Sequence, residues 1–249
     1  MLTNSVRFSP LDEARFGVRT ARAMDITADQ LPEILEFCSH QDVQFLIARC
    51  STRDSATLQV MESTGFLIMD TLVYYYFDLF RKNLPERRQV SIRTIRPQDI
   101  EAIADVARQA FRGYESHYHA DLQLDRSACD DLYVDWAVRS CTQKDMADEV
   151  LVAEVNNEVF GFLALKSIEN NEADCRLYAV SQNTQQKGVG QALLIEALYW
   201  CKSKGLNALM ISTQITNIAS QKSCVRVGFE PYCSFHTFHK WFYKGGKHD

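Results

Sequence analysis

The chain has 249 residues, 46% of them apolar and 24% charged, and its formal net charge is −5. This composition is typical of a globular protein with one large domain or two smaller ones. A negative net charge without a dense Lys/Arg stripe disfavours nucleic acid or an anionic membrane as a partner. The first thirty residues lack an apolar run of signal-peptide type, and no stretch approaches the ~18 apolar residues of a membrane span. We therefore expect a cytoplasmic protein.

Eight cysteines are scattered along the chain, and none forms a C-x-x-C pair. Zinc sites and redox pairs need closely spaced ligands or thiols, so neither is predicted. In a reducing compartment these residues are expected to be free thiols that pack as small apolar side chains. No metal site is predicted.

A polar stretch with a proline, at 83–90, is the strongest break in the apolar pattern and predicts a linker. We expect an N-terminal domain over 1–82 and a larger domain over 91–249.

The elements predicted after this break alternate between strands and helices. A strand precedes a helix from about Asp99, a His-, Tyr- and Asp-rich loop (RGYESHYHADLQLD) and a helix around DDLYVDWAVRSC. Two apolar strands flank Asn156-Asn157, which is typical of a hairpin turn. The strand ADCRLYAV leads into the helix VGQALLIEALYWCKSK, which Gly205 ends. A strand, a short helix and a closing pair of strands over FEPYCSFHTFHKWFYK follow.

An internal repeat links the two halves of the chain. The stretch DSATLQVMESTGF aligns without gaps with NIASQKSCVRVGF, and both end in Gly-Phe. The strand-like QFLIARC and ALMISTQ precede them, and aromatic strand regions follow them. The N-terminal part is therefore expected to be a partial copy of the C-terminal domain. It lacks an equivalent of the glycine loop described next, so it is predicted to pack rather than to bind a second ligand.

The loop between the predicted strand ADCRLYAV and the next helix has the pattern Gln185-x-x-Gly188-x-Gly190. It matches neither the ATP-type P-loop nor the dinucleotide motif. Glycines let a backbone approach a phosphate closely, and a helix N-terminus offers free N–H groups and a positive dipole end. A pyrophosphate is the ligand that such a loop favours. A tight turn without a ligand is the alternative.

These residues resemble the GNAT superfamily of acetyl-CoA-dependent acetyltransferases. The loop is similar to the Q/R-x-x-G-x-G/A signature of that family, and NIASQKSCVRVGF is similar to its following helix. The resemblance covers about 91–244. It implies an α/β (α+β) GNAT fold, a mixed central sheet flanked by helices, with a truncated GNAT-like half-domain before it. Shorter stretches, among them ALYWC, TQITN, HTFHKWF and FRGYESHYHAD, are similar to dTDP-fucosamine acetyltransferase and related nucleotide-amino-sugar acetyltransferases.

The resemblance implies which residues contact coenzyme A. The strand before the loop would pair with the pantetheine arm, one of its N–H groups would polarise the thioester carbonyl, and the loop would hold the pyrophosphate. The residues implied are Tyr178, Ala179, Val180, Gln185, Gln186, Lys187, Gly188, Val189, Gly190, Gln191, Asn217 and Ser220.

The acceptor amine must be neutral to attack, so a nearby base is expected. His117 and His119 in SHYHAD are the predicted bases, and the predicted substrate-binding residues are Tyr118, Asp121 and Glu172. A metal pair at the two histidines, or a polar loop without a catalytic task, is the alternative. His236 and His239 are predicted to be structural residues of the terminal strands.

The tyrosine that protonates the departing thiolate in this family falls on Cys224 here, and the alanine four residues before it falls on Ser220. Three explanations stay open. Cys224 donates the proton, another hydroxyl such as that of Ser220 or Tyr178 donates it, or backbone amides stabilise the thiolate until solvent protonates it.

The resemblance implies acetyl transfer from acetyl-CoA to a nucleotide-linked amino sugar, for example a dTDP-4-amino-4,6-dideoxyhexose. Acetylation of another small primary amine is the alternative with the same chemistry. A non-catalytic domain that binds acyl-CoA is the alternative of a different class. A homodimer is implied by the resemblance only.

Overall fold

The structure is a computed structural model that describes residues 6–182 and 188–242. Gln185, Gln186 and Lys187 of the predicted phosphate loop lie outside the described residues. The α-helices are α1 (Pro10–Phe16), α2 (Leu31–His40), α3 (Ser55–Ser63), α4 (Ile100–Ala110), α5 (Arg126–Thr142), α6 (Val189–Ser203) and α7 (Ile218–Val227). The strands are β1 (Val6–Phe8), β2 (Thr20–Ala23), β3 (Phe45–Ser51), β4 (Leu67–Asp78), β5 (Ser91–Thr94), β6 (Glu149–Val155), β7 (Glu158–Ile168), β8 (Glu172–Val180), β9 (Ala208–Gln214) and β10 (Glu230–Trp241). None of these helices is long and apolar enough to cross a membrane.

The described residues form two compact units, each made of separate stretches of the chain. Unit 1 contains 6–72, 115–129 and 233–242. Unit 2 contains 73–114, 130–182 and 188–232. These groupings differ from the continuous domains expected over 1–82 and 91–249, whose division stays a prediction.

Unit 1 is built on the strand order β1-β2-β3-β10. Strands β2 and β3 are parallel, whereas β1–β2 and β3–β10 are antiparallel. Apolar residues at helical spacing on α2 and α3, such as Ile34 and Met61, pack against the strands beside Phe238 of β10. Burial of this single face explains why these short helices form.

Unit 2 has the strand order β4-β9-β8-β7-β6-β5, a mixed sheet in which β8 and β9 are parallel. Helix α6 packs on one face with Leu193 and Leu198 in the core, and α4 packs on the other face with Ile103 beside Phe162. The predicted mixed α/β architecture is confirmed. The predicted hairpin at Asn156-Asn157 is also confirmed, because both asparagines adopt positive φ (53° and 64°) between β6 and β7.

The structure supports the internal repeat at the level of elements. Strand β3, α3 and β4 follow one another as β9, α7 and β10 do, with three residues before each helix and with three and two residues, respectively, after it. Asp54 and Asn217 cap α3 and α7 in the same way, each accepting a hydrogen bond from the backbone N–H three residues later. The glycines that follow both helices, Gly65 and Gly228, have positive φ.

Two local expectations need correction or refinement. The closing pair of strands is wrong: 230–241 is one continuous strand, β10, whose C-terminal half pairs with β3 from Phe235↔Ser51 to Trp241↔Phe45. The stretch 83–90 packs on α6, with Leu84 and Val90 against the core of unit 2 and Arg87 paired with Glu196.

Candidate functional site

The turn into α6 is made by Gly188, the N-cap of the helix, at φ 77° and ψ 7°. Left-handed backbone of this kind suits glycine, and a glycine has no side chain with which to cap the helix. The first N–H groups of α6 have no acceptor within the helix, and the positive end of the helix dipole lies among them. This donor set fits an anionic group such as a pyrophosphate.

Beside this turn, β8 and β9 separate. Their parallel pairing runs from Glu172↔Ala208 to Cys175↔Ile211 and does not continue, although β8 extends to Val180 and β9 to Gln214. A bulge at Arg176, opposite β7, bends β8 at the point of separation. The strand edge formed by Tyr178, Ala179 and Val180 therefore has no β9 partner. It faces the opening between the two strands.

Tyr178 occupies the space between β8, α6 and α7. Its hydroxyl lies so close to Gly190 that a Cβ at that position would overlap it, and the ring carbon Cζ would be 3.2 Å from that Cβ. The side chain of Ser223 interacts with this hydroxyl, which also lies near Cys224. The ring is half-buried against the core of unit 2. Burial raises the pKa of Tyr178 above its usual value, so the phenol stays protonated at neutral pH.

The predicted residues of α7 lie at its start and on its buried side. Asn217 accepts the N–H of Ser220 at 3.1 Å and so caps the helix. Cys224 is completely buried in the core, with the Ser220 side chain beside its sulfur. Burial raises the pKa of the Cys224 thiol to about 12. Its role as an acid stays a prediction.

The remaining predicted residues of unit 2 lie at the start of α6 and at the start of β8. Val189 is buried in the first turn of α6, and the Gln191 side chain accepts a hydrogen bond of 2.6 Å from Arg88. Glu172 begins β8 and accepts a hydrogen bond from Tyr76 at 2.9 Å. At ~3.3 Å per residue, it lies about 25 Å along the strand from Val180.

The predicted bases belong to unit 1, where His117 is the end of a buried hydrogen-bonded chain. Asp121 Oδ2 is 2.7 Å from His239 Nδ1, and His239 Nε2 is 2.9 Å from His117 Nδ1. Trp241 Nε1 also donates to Asp121 at 2.9 Å. If both imidazoles are neutral, His239 donates through Nδ1 and accepts through Nε2, so His117 donates through Nδ1 and keeps the Nε2 lone pair.

The protonation states follow from burial. Burial lowers the pKa of His117 well below 6.5, and the nearby cationic groups of Arg49 and Arg22 act in the same direction. Burial also lowers the pKa of His239, and Asp121 offsets only part of that effect. Burial alone would raise the pKa of Asp121, but the hydrogen bonds from His239 and Trp241 lower it overall. At neutral pH the buried hydrogen-bonded series therefore consists of the Asp121 carboxylate and the neutral imidazoles of His239 and His117.

Tyr118 belongs to a second buried group in unit 1. Its hydroxyl donates to Asp12 at 2.9 Å and accepts from Arg22, which also pairs with Asp12 at 2.6 Å. The Tyr118 ring lies against that of His117, with centroids 3.8 Å apart. His119 Nδ1 is 2.9 Å from the hydroxyl of the neighbouring Ser116.

The structure thus brings together Tyr178, Gly190 and Cys224 in unit 2, and His117, Tyr118 and Asp121 in unit 1. The partners that sequence reasoning missed are Asp12, Arg22, Ser223 and Trp241, together with the position of His239 in the chain. A single charged residue inside the short strand TARA was the only signal for Arg22. Among the described residues, no cluster of three or more His, Cys, Asp or Glu side chains could hold a metal ion.

Comparison with known proteins gives a match to the model of the acetyltransferase (GNAT) family over residues 100–229. The spore coat polysaccharide biosynthesis protein SpsD of Bacillus subtilis is 27% identical over 145 residues, which is 58% of this chain and 48% of that protein. The spermidine N(1)-acetyltransferase of Thermoplasma acidophilum is 28% identical over 121 residues, 47% of this chain and 73% of that protein. The chain thus spans about half the length of the Bacillus relative.

Among solved structures, a GCN5-related N-acetyltransferase from Sphaerobacter thermophilus has a TM-score of 0.67 at 13% identity. The match covers 95% of this chain and 76% of that one. At this level of identity, the likeness concerns the fold.

Proposed function

Because the chain belongs to the acetyltransferase (GNAT) family, whose members use acetyl-CoA as the acetyl donor, we propose that it is an N-acetyltransferase for a small primary amine. The observation that carries this proposal is the opening between β8 and β9 beside the uncapped start of α6. An extended pantetheine arm needs an unpaired strand edge, and a pyrophosphate needs convergent N–H groups. Unit 2 offers both within one βα connection.

In this proposal the acetyl group passes directly from sulfur to nitrogen. The amine nitrogen attacks the thioester carbonyl, and a backbone N–H on the free edge of β8 stabilises the negative charge that develops on the carbonyl oxygen. Holding the two reactants in this geometry supplies a large part of the rate enhancement. His117 Nε2, the lone pair at the end of the buried chain, accepts the amine proton, and His119 is the second candidate.

For the acceptor we propose a nucleotide-linked amino sugar such as a dTDP-4-amino-4,6-dideoxyhexose. The support is the sequence likeness to nucleotide-amino-sugar acetyltransferases and the role of the Bacillus relative in spore coat polysaccharide biosynthesis. A polyamine is the alternative, since the Thermoplasma relative is a spermidine acetyltransferase. The proposal includes a homodimer, which is supported only by the sequence likeness to these acetyltransferases.

The test is the release of coenzyme A thiol from acetyl-CoA, followed with a chromogenic disulfide, in the presence of dTDP-4-amino sugars, UDP-amino sugars or spermidine. We expect release with a dTDP-amino sugar and a product that carries one added acetyl group by mass spectrometry. Release with spermidine alone would replace the sugar by a polyamine. Binding of coenzyme A without release in any mixture would contradict the transferase proposal.

Binding without transfer is the second candidate function, and the burial of Cys224 is the observation that favours it. If Cys224 were the only proton donor available, a thiol sealed in the core would not reach a leaving group. Calorimetric titration with acetyl-CoA and coenzyme A, paired with the release assay, separates the candidates.

A further inference from the structure

The proposed reaction leaves coenzyme A as a thiolate, and this sulfur must gain a proton. An ordinary thiol has a pKa of about 8.5, so near neutral pH the product is mainly the protonated thiol. A protonated group placed beside the sulfur as the carbon–sulfur bond breaks accelerates this step. The search for a donor therefore begins with the hydroxyl and thiol groups around the opening between β8 and β9.

Cys224 does not meet the geometric requirement. Its side chain has no exposed surface and lies in the apolar core of unit 2. The Ser220 side chain lies beside its sulfur. Because a cysteine side chain ends one bond beyond Cβ, this thiol stays within the core.

Tyr178, in contrast, lies at the opening between β8 and β9. Its backbone belongs to the part of β8 that has separated from β9. Its hydroxyl extends to the first turn of α6 at Gly190 and lies beside the Ser223 side chain of α7. One residue therefore supplies both an unpaired backbone edge and a hydroxyl beside the start of α6.

Gly190 shows that this placement is specific. The residue lies inside α6, where alanine is favoured over glycine by about 1 kcal/mol. A Cβ there would overlap the Tyr178 hydroxyl. The glycine thus leaves room for the tyrosine, in addition to any role towards a phosphate.

Resting on the proposed acetyl transfer, we propose that the Tyr178 hydroxyl is the proton donor to the sulfur of coenzyme A and that Ser223 orients it. In this step the amine nitrogen forms a bond to the acetyl carbon, and the carbon–sulfur bond breaks with its electron pair on sulfur. The Tyr178 proton moves to that sulfur, which gives the thiol and a phenolate. The phenolate then takes up, through solvent, the proton that the acetylated nitrogen has lost, so the net products are the amide and coenzyme A thiol.

The first experiment needs no acceptor. Coenzyme A and desulfo-coenzyme A are titrated calorimetrically into wild type, Tyr178→Phe, Cys224→Ala and Tyr75→Phe. Tyr75 is a matched control, because it is buried in the same core and its hydroxyl donates to Gln221 at 3.1 Å. We expect wild type and Tyr75→Phe to prefer coenzyme A by about fivefold, which is the size of one hydrogen bond, and Tyr178→Phe to lose that preference.

Two results of this titration would overturn the proposal. One is an unchanged preference in Tyr178→Phe. The other is loss of the preference in Cys224→Ala and not in Tyr178→Phe, which would return the donor role to the cysteine. Failure of wild type to bind either compound would instead remove the proposed function, and the donor role with it.

The second experiment uses the acceptor that gives thiol release. For Tyr178→Phe we expect kcat to fall about 10²-fold with little change in KM for acetyl-CoA, because the lost interaction acts on the leaving group. For Ser223→Ala we expect a smaller loss in kcat, with KM again conserved. Thermal unfolding of each variant checks that the fold persists. A kcat for Tyr178→Phe within threefold of wild type would overturn the proposal.

Discussion

Two glycines of one motif meet different physical requirements at the scale of single residues. Gly188 adopts left-handed backbone, and a Cβ there would meet no atom within 4 Å among the described residues. Gly190 has no such backbone requirement, but Tyr178 fills the space of its Cβ. Substitutions at the two positions should therefore fail in different ways.

At Gly188 we expect charge to matter more than volume. Asparagine and aspartate tolerate left-handed backbone better than other side chains and also cap helices, so Gly188→Asn and Gly188→Asp should both fold. They are nearly isosteric, but the aspartate places a negative charge where the proposed pyrophosphate lies. We expect coenzyme A to bind Gly188→Asp at least about tenfold more weakly than Gly188→Asn, measured by calorimetric titration. Equal affinities would mean that no anion lies at this turn.

At Gly190 we expect steric overlap to outweigh helix propensity. Gly190→Ala should lower the free energy of unfolding by about 1–3 kcal/mol, although the same change at an open helical position is stabilising. Tyr178→Phe removes the overlapping oxygen, so the double variant should regain part of this loss. Urea unfolding of the two single variants and the double variant measures the coupling. Additive losses would show that the residues do not compete for this space.

The sequence predicted these positions unequally. Local patterns predicted the glycine turn and the strand that contains Tyr178. No local pattern predicts that the Tyr178 side chain crosses to Gly190 and Ser223, because that contact depends on how β8 bends at Arg176. The resemblance to the family implied that the proton donor is Cys224, but the fold buries this residue in the core.

At the scale of elements, the periodicity of apolar residues was sufficient to predict an element that buries one face. It was insufficient where strand pairing determines the bounds of an element. Strands β6 and β8 and helix α6 were predicted nearly to the residue. The stretch 230–241 reads equally well as two short strands or one long one. Its pairing with β3 decides the matter, and that partner lies far away in sequence.

The buried chain of unit 1 shows the same limit. Its members come from the loop 115–129 and from β10, so no spacing in the sequence reveals that Asp121, His239 and His117 form a series. Only the composition of the loop suggested chemistry there. The series nevertheless has a consequence for stability, because it keeps two imidazoles neutral.

We expect the chain to lose stability between about pH 6.5 and pH 5. In the folded state the pKa values of His117 and His239 are lowered, whereas unfolding restores values near 6.5. Below that pH the unfolded state binds more protons, so the free energy of unfolding falls as pH falls, by up to about 1.4 kcal/mol per pH unit for each histidine. Asp121, whose folded pKa is lowered, weakens the fold only below about pH 4.

Urea unfolding at several pH values tests this expectation. His117→Asn should reduce the pH dependence of the free energy of unfolding between pH 6.5 and 5, compared with wild type. His40→Asn is the matched control, because His40 is exposed at the end of α2. An equal reduction in both variants would mean that the buried imidazole is not the source of the acid sensitivity.

At the scale of the whole molecule, the two copies of the repeat contribute strands to different cores. From Val73 onwards β4 belongs to unit 2, where Tyr75 and Phe77 lie in the core. From Cys233 onwards β10 belongs to unit 1, where Phe238 lies in the core. The repeat was visible in the sequence, but this distribution of strands was not, because both copies continue into aromatic segments of similar pattern.

The last prediction follows from this distribution: the C-terminal half of the sequence should not fold without part of the N-terminal half. Phe77 is 1% exposed and packs edge-on against Phe229, with ring centroids 5.4 Å apart. Phe77→Ala in the full chain should therefore cost about 3–5 kcal/mol, whereas Phe80→Ala, at a residue 79% exposed, should change stability by less than about 0.5 kcal/mol.

A pair of truncated chains extends the test from one side chain to the strand. A chain of 73–232 keeps every residue of unit 2, and a chain of 91–232 differs only in lacking β4 and the stretch that packs on α6. The shorter chain exposes the face that Tyr75 and Phe77 cover and leaves the outer edge of β9 unpaired, so we expect it to aggregate or to melt without cooperativity. The longer chain should melt in one cooperative transition. Identical transitions for the two chains would mean that the core of unit 2 is complete without β4, and the boundary at 83–90 would then mark an independent domain.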